Sequence, residues 1–351
     1  MLKLLRSLVK PKQLANPVAV AALPPPPVAI AAEGSDDFNV SENLLGANGV
    51  PVLNWDAAQH WVCGVVGEAA QAQAWSACER AWLEHLRLAL GPEFRLRERG
   101  TALLLSTLEM NVAEATLAFV NKTLQRVVRI LDGVAHVPEW GHDILVVFDD
   151  EDAYYRYVAH YYPEAGEFTL SSGMYINVGC GHFVTVKADL RAIEPVIAHE
   201  LTHACLSHLP IPAWLNEGIA VNTERRLCPP TSSAGTHPQQ MHARHQKFWG
   251  PREIQQFWSG KSFLRSDEGN ELSYDLARII VSQFGTAWDR FRPFVLAANA
   301  ADGGASAAAE HLGVHLGDVV SALLEQETSM QWEPNPAAWI GAPDRGAFSG
   351  G

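Results

Sequence analysis

The sequence predicts an α+β fold, with a sheet-containing N-terminal part followed by a mostly helical C-terminal part. Two observations support this: strand-like apolar segments are confined to residues 100 to 189, and helical spacing of apolar residues dominates after them. The chain has 351 residues with 48% hydrophobic and 19% charged content, which is ordinary for a globular protein with a sizeable core.

The first two helices are predicted from apolar residues that recur every three or four positions. Residues 67 to 90 form the first helix, which a Gly-Pro pair ends. The second runs from Asn111, predicted as its N-cap, to residue 133. Between them, the short apolar stretch "GTALLLST" (residues 100 to 107) is a candidate strand.

The central part of the chain predicts the rest of the sheet. Residues 143 to 150, "DILVVFDD", have the pattern of a buried strand, and a short helix follows at residues 153 to 161. Residues 171 to 189 contain two apolar runs separated by glycines, which is typical of a hairpin. The next helix is predicted to begin at Pro195 and to end before Pro210, because proline cannot continue a helix.

The C-terminal part is predicted to be helical after a polar loop at residues 231 to 246. Helices are predicted at residues 273 to 284, 288 to 298, 305 to 312 and 316 to 326. The domain prediction is a flexible Ala/Pro-rich leader (1 to 38), one domain (39 to 340) with a subdomain division near 209 to 212, and a tail (341 to 351).

The N-terminal leader has three interpretations. Its basic residues precede an Ala/Val-rich run, as in a signal peptide, but Asn16 and Pro17 interrupt that run. Alternatively, Leu2, Leu5, Leu8 and Val9 form one face of a short basic amphipathic helix that contacts a membrane or a partner. The favoured interpretation is a disordered leader with a polyproline-like end. No stretch reaches the roughly 18 apolar residues of a membrane span, so no transmembrane segment is predicted.

Charge and cysteine content exclude several classes of protein. The formal charge is -13, with 39 acidic and 26 basic residues, which argues against a nucleic-acid partner. The five cysteines are scattered and odd in number, so neither a disulfide framework nor a cysteine zinc site is indicated. Reduced thiols favour a cytoplasmic location.

The stretch "HELTH" (residues 199 to 203) carries the chemistry. His199 and His203 are four residues apart and therefore lie on one face of a helix, where both imidazoles can bind one Zn²⁺. Glu200 is rotated by roughly 100° from His199, beside the metal, which is the place for a general base acting on metal-bound water. The helix is otherwise apolar, so these polar groups would be costly there without a ligand.

A third protein ligand is needed, because catalytic zinc usually has three and an open position. The segment "PIPAWLNEGIA" (residues 210 to 220) supplies it. Its prolines turn the chain, and Glu217 on the following helix is presented back toward the histidines. The sequence therefore predicts one zinc ion per chain, bound by His199, His203 and Glu217.

The segment "HELTHACLSHLPIPAWLNEGIA" resembles the active-site segment of the gluzincin metallopeptidases, most closely the compact bacterial members. The resemblance implies a zincin-like fold, peptide-bond hydrolysis of a peptide or protein substrate, and the zinc ligands and base named above. It also implies an oxyanion-stabilising residue, for which Tyr274 is the candidate, and a substrate-binding edge strand at residues 173 to 177. Larger members carry a supporting acidic residue four places after the ligand glutamate, but Val221 stands there.

Two other functions compete with peptide hydrolysis. The protein could bind zinc as a non-catalytic scaffold or regulator, which the valine at position 221 favours and an intact Glu200 opposes. Zinc could also activate water against a non-peptide amide or ester. The histidines of the polar loop (His237, His242 and His245) are predicted to be solvated rather than a second metal site.

Overall fold

The computed structural model describes residues 24–47, 49–161, 173–229 and 237–339. The fold is α+β, as predicted, with one five-stranded sheet, two small hairpins and helices that dominate the second half. The predicted tail (341 to 351) and residues 1 to 23 of the predicted leader lie outside the described residues.

The large sheet has the order β5-β6-β7-β9-β8. The three inner strands β6, β7 and β9 are parallel, and the outer strands β5 and β8 are antiparallel to their neighbours. Its strands are β5 (Arg95–Arg99), β6 (Ala102–Ser106), β7 (Asp143–Phe148), β8 (Gly173–Ile176) and β9 (His182–Val186). The strands predicted at residues 100 to 107 and 143 to 150 and the hairpin at 171 to 189 are confirmed, whereas β5 was not predicted, because its alternating Arg and Glu residues carry no apolar signal.

Two short hairpins lie upstream of the sheet. Their strands are β1 (Ala29–Ile30), β2 (Phe38–Asn39), β3 (Leu44–Ala47) and β4 (Val50–Leu53). The backbone carbonyls of Pro24 and Pro27 accept hydrogen bonds from side chains of the long second helix. Ordered structure therefore begins before residue 39, inside the segment predicted as a leader.

The helices of the first half surround the sheet. They are α1 (Trp55–Gly64), α2 (Glu68–Leu90), α3 (Met110–Ile130) and α4 (Glu151–Tyr161). Three of them match predicted helices, but Asn111 is not the N-cap of α3: Glu109 occupies that position, and Asn111 lies within the first turn.

The helices of the second half begin with the one that carries the histidines. They are α5 (Ile193–Leu206), α6 (Ala213–Leu227), α7 (Pro238–Phe248), α8 (Pro251–Trp258), α9 (Glu268–Phe284), α10 (Trp288–Ala297), α11 (Ala305–Ala307), which continues as a π-helix at Ala308–Leu312, and α12 (Leu316–Leu323). Short 3₁₀ helices, including Lys261–Leu264, connect them.

Two predictions about this half are corrected. Pro195 is the third residue of α5 rather than its first, a position where a missing N–H still costs no intrahelical bond. The polar loop predicted at residues 231 to 246 contains most of α7, whose first helical residue is Pro238. Helix α7 lacks an apolar stripe because few of its residues are buried, so periodicity could not reveal it.

Two hydrophobic cores lie on the two faces of the sheet. Successive side chains of a strand point to opposite faces. Accordingly, Leu103 and Leu105 of β6 join a core with α2 and the N-terminal hairpins, whereas Leu104 joins a core with α3, α5, α6 and α9. Helix α5, which carries His199 and His203, thus packs directly on the sheet. Among the described residues, no helix is long and apolar enough to span a membrane.

Candidate metal centre

Helix α5 has one apolar face and one polar face. Ile197, Ala198, Leu201 and Cys205 are almost fully buried in the core. His199 and His203 lie on the other side, one turn apart, with side chains that are 16% and 21% exposed. Burial of the apolar face anchors the helix, and this leaves both imidazoles on the partly exposed side.

Helix α6 brings the third group. The chain turns through residues 207 to 212, and Pro212 is the N-cap of α6. Glu217 follows in the second turn, and Gly218 lies against the backbone of α9, where an added Cβ would be 2.6 Å from the Ala277 carbonyl oxygen. Because glycine allows this close approach, α9 holds α6, and with it Glu217, against α5.

The three predicted ligands converge. Nε2 of His199 lies 3.0 Å from Nε2 of His203 and 3.2 Å from Oε2 of Glu217, and the His203–Glu217 separation is 3.4 Å. A tetrahedral zinc with ligands at about 2.0 to 2.1 Å requires ligand atoms about 3.3 Å apart. The donor set of two imidazoles and one carboxylate, with these spacings, fits a zinc ion.

Each imidazole has a second partner behind it. Nδ1 of His199 donates to Oε2 of Glu224 at 3.1 Å, and Nδ1 of His203 donates to Oδ1 of Asn216 at 2.9 Å. These bonds hold a proton on each Nδ1, so the two Nε2 atoms, which face Glu217, are the atoms that can bind a metal when they give up their protons.

The sequence does not predict Glu224 or Asn216 as partners of the histidines. The predicted position for an acidic partner is residue 221, four residues after Glu217, whereas Glu224 lies seven residues after it. Seven residues are almost two complete helical turns, so Glu217 and Glu224 share one face of α6. An acidic residue at this second spacing is the signal that would have identified Glu224.

Hydrogen bonds within the cluster shift the pKa values of its members. Burial lowers the pKa of His199, but hydrogen bonds to Glu217 and Glu224 outweigh it and raise the pKa to about 10. For Glu217, burial raises the pKa, and the two imidazoles outweigh it and lower the pKa to about 2. Glu217 is therefore anionic at neutral pH. Protons and a metal ion compete for the same Nε2 atoms, so metal binding at this site is pH-dependent.

Glu200 lies where the sequence predicted it, on α5 beside the two histidines, and it is half-buried. Burial raises the pKa of its carboxyl, and this outweighs the opposing effect of His203 and His199. A raised pKa brings a carboxylate closer to the strength of base that can exchange protons near neutral pH.

Tyr274 reaches the site from α9. Its ring centroid is 6.4 Å from that of His199, and Phe263 packs edge-on against its other side at 5.1 Å. Burial, together with Glu217 and Glu200, raises the pKa of the Tyr274 hydroxyl, so it stays protonated and can donate a hydrogen bond. Tyr274 is in the second turn of α9, whereas the predicted helix began at residue 273.

Strand β8 is at the edge of the sheet, beside α5. Gly173 lies so close to α5 that an added Cβ would be 2.3 Å from Cδ1 of Ile193. Within the described residues, β8 pairs only with β9, so its outer backbone groups face away from the sheet. This is the strand predicted to bind substrate.

The prediction that the histidines of the polar loop are solvated is wrong for His245. His245 is 3% exposed rather than solvated, with Nε2 donating to Asp275 at 3.0 Å and Nδ1 accepting from Trp249. The hydrogen bond between His245 and Asp275 links α7 to α9. All five cysteines are free thiols, and Cys205 is fully buried in the core.

No protein-family model matches the sequence, and a search of curated proteins returns no match.

Proposed function

We propose that the chain is a zinc-dependent metallopeptidase of the gluzincin type that hydrolyses peptide bonds in a peptide or protein substrate. The observation that carries this proposal is the convergence of His199, His203 and Glu217 with spacings suited to zinc. A structural zinc site usually has four protein ligands. A group of three with a neighbouring carboxylate at Glu200 supports a catalytic role.

The chain's own residues account for the steps of hydrolysis. Zinc, when bound, supplies Lewis acidity and makes water more acidic. Glu200 accepts a proton from the attacking water and later donates it to the leaving amine. Tyr274 donates a hydrogen bond to the oxyanion of the tetrahedral intermediate, which lowers the barrier because that charge develops only in the transition state.

Substrate binding is assigned to the edge of the sheet. An extended peptide can add to β8 through main-chain hydrogen bonds, in the manner of an extra strand. The close packing of β8 on α5 would place such a peptide next to the zinc ligands. This arrangement supports the zincin-like interpretation of the α+β fold.

The cytoplasmic location stays a prediction from the free cysteines.

The proposal is tested with purified full-length protein, by metal analysis and by cleavage of a peptide library. We expect near-stoichiometric zinc and Glu200-dependent cleavage. The Glu200→Gln variant should keep its zinc and lose at least about 100-fold in activity, since general-base catalysis contributes about 10²- to 10⁴-fold. The matched control, Glu194→Gln on the same helix, should retain both.

The outcomes separate the three functions. Zinc without peptide cleavage in the wild type would favour a non-catalytic scaffold. Cleavage of amide or ester libraries, but not of peptides, would favour the non-peptide hydrolase. Absence of zinc, or undiminished activity in Glu200→Gln, would overturn the proposal.

A further inference from the structure

Residues 329–339 run along α8 and are held there by one side chain; this segment is named the C-terminal strap. The amide of Gln255 uses all four of its hydrogen-bonding positions on the strap. Its Nε2 donates to two backbone carbonyls of the strap, at 3.2 and 2.7 Å. Its Oε1 accepts from the backbone N–H of Asn335 at 2.9 Å and from the indole N–H of Trp339 at 3.1 Å. A single glutamine therefore fixes the strap at four points.

The strap is also joined to the end of α8 and to the 3₁₀ helix Lys261–Leu264 that follows it. Nε1 of Trp258 donates to the carbonyl of Trp332 at 2.8 Å, and Trp332 is itself only 6% exposed. Nζ of Lys261 donates to the carbonyl of Trp339 at 3.2 Å. The strap is therefore a packed part of the fold that supports this 3₁₀ helix.

The 3₁₀ helix carries the residue that packs on Tyr274. Phe263 is buried, and its ring meets that of Tyr274 edge-on with the ring centroids 5.1 Å apart. Two hydrogen bonds fix the 3₁₀ helix to α9. Nδ2 of Asn270 donates to the carbonyl of Phe263, and the hydroxyls of Ser262 and Ser273, both fully buried, are 2.7 Å apart. The position of Phe263 relative to Tyr274 is thus determined from both sides of the 3₁₀ helix.

The ring of Tyr274 has an aromatic neighbour on each of two sides. Phe263 lies on one side and His199, with its centroid 6.4 Å away, on the other. Packing selects the rotamer of a side chain, so loss of one neighbour gives the Tyr274 hydroxyl a wider range of positions. The predicted zinc ligands are held separately, by hydrogen bonds between α5 and α6. A change in the strap can therefore affect Tyr274 without altering the metal ligands.

We propose that Gln255 and Phe263 are positioning residues for the reaction. Gln255 holds the C-terminal strap against the 3₁₀ helix, and the 3₁₀ helix holds Phe263 against Tyr274. This inference rests on the proposed function, in which Tyr274 donates to the oxyanion. An oxyanion donor acts through accurate placement, and a misplacement of about 1 Å can cost about 100-fold in rate. Full activity therefore requires the strap to be bound in its place on α8.

The test uses the full-length chain with a substitution at each step. Gln255→Leu removes the four hydrogen bonds to the strap and keeps a side chain of similar size. Amide hydrogen exchange of the strap, measured by mass spectrometry, should become faster. The kcat for peptide cleavage should fall about 10- to 100-fold, while KM and zinc content change little. Phe263→Leu should lower kcat in the same way but leave hydrogen exchange of the strap unchanged.

The matched control is Gln246→Leu. Gln246 lies on α7 and donates to the carbonyl of Leu324 at 3.3 Å and to the carboxylate of Glu325 at 3.1 Å, upstream of the strap. This variant loses the same kind of hydrogen bond, yet it should leave both kcat and hydrogen exchange of the strap unchanged. Circular dichroism and urea unfolding check that every variant is folded.

A double-mutant cycle separates positioning from a general loss of stability. In the Tyr274→Phe background, neither Gln255→Leu nor Phe263→Leu should lower kcat further, because the hydroxyl that they position is absent. Effects that act through independent routes add, whereas effects that act through one group do not. A purely structural role would therefore give losses that add to the loss caused by Tyr274→Phe.

The results distinguish this inference from the proposed function. Additive losses, or a wild-type kcat in either Gln255→Leu or Phe263→Leu, would overturn the inference while leaving the zinc peptidase intact. A fall in zinc content that matches the fall in kcat would also overturn it, because the strap would then act on the metal ligands. A wild type without zinc or peptide cleavage would overturn the proposed function, and this inference with it.

Discussion

Glu200, Glu217 and Glu224 carry identical side chains in three different environments. Glu217 contacts both imidazoles and has a pKa lowered to about 2, which suits a metal ligand. Glu200 has no such pairing, and burial raises its pKa, which suits a base. Glu224 lies behind His199. The position of each residue on its helix, rather than its chemistry, separates the three roles.

Tyr274→Phe tests the remaining residue assigned to the reaction. Removing an oxyanion donor should lower kcat by about 100-fold or more and change KM little, because the lost interaction forms only in the transition state. Zinc content should not change. Steady-state peptide kinetics and metal analysis measure both. The control is Tyr155→Phe, at a tyrosine that is 36% exposed. A kcat within a few-fold of the wild type would remove Tyr274 from the mechanism.

At the scale of single residues, the spacing of residues along the chain predicts which side chains share a face of one helix. It does not predict which side chains of two different helices meet. His199, Glu200 and His203 follow from the period of α5 alone. The contact of Glu224 with His199 depends on the angle between α5 and α6, which no local pattern encodes. The burial of His245 likewise depends on α9, because Asp275 is its partner.

At the scale of elements, the site depends on how three helices pack. Helix α6 lies between α5, which it meets through the contacts of Glu217 and Glu224 with the histidines, and α9, which it approaches at Gly218. Helix α9 also carries Tyr274. The same helix therefore packs against the helix of the proposed ligand Glu217 and supplies the proposed oxyanion donor.

Gly218→Ala should disturb this packing. An added methyl would meet the backbone of Ala277 and Cγ2 of Val281, and backbone cannot move aside cheaply. Overpacking typically costs about 1 to 3 kcal/mol. We expect a lower free energy of unfolding in urea, together with weaker zinc binding, because α6 carries Glu217. At Gly64→Ala, where an added Cβ meets nothing within 4 Å, neither quantity should fall. Unchanged zinc affinity in Gly218→Ala would contradict the proposed role of α9.

The elements that the sequence does not predict are of two kinds. Strand β5 and helix α7 are polar, so they lack the apolar periodicity that defines α2, α3 and β7. Helices α1 and α8 bury apolar side chains, but they have only 10 and 8 residues, so their periodicity is short. The preference of proline for the first helical position predicts that α5 begins at Pro195, although any position in the first turn lacks an intrahelical N–H bond. Apolar periodicity therefore predicts the long core elements, and tertiary contacts determine the others.

At the scale of the whole molecule, two titratable groups on neighbouring strands of the sheet have opposite effects on the pH dependence of stability. Asp143, at the start of β7, has a pKa raised to about 6, chiefly by burial, although a hydrogen bond from Thr101 opposes it. His182, at the start of β9, has a pKa lowered to about 4 by burial. Between pH 4 and pH 6 the native state binds an extra proton at Asp143 and lacks one at His182, so their contributions to the pH dependence offset each other.

Asp143→Asn should remove the contribution of Asp143 to the pH dependence of stability. The contribution of Asp143 to stability is present below its unfolded pKa of about 3.9 and is lost as the pH rises through about 6, since the native carboxyl holds its proton longer. Relative to the wild type, the variant should therefore gain about 2 to 3 kcal/mol in unfolding free energy between pH 4 and pH 7. Thr101 can still donate to the amide oxygen, so the hydrogen bond is kept.

Urea unfolding of both proteins at a series of pH values measures this difference, in which titrating groups that do not interact with Asp143 cancel. The gain should level off above pH 7, once Asp143 of the wild type is fully ionised. Thr101→Val is the companion variant: loss of the donor should raise the pKa of Asp143 further and move the transition to higher pH. A stability difference between Asp143→Asn and the wild type that does not vary with pH would show that Asp143 titrates normally, and the pH dependence would then come from His182 and other groups.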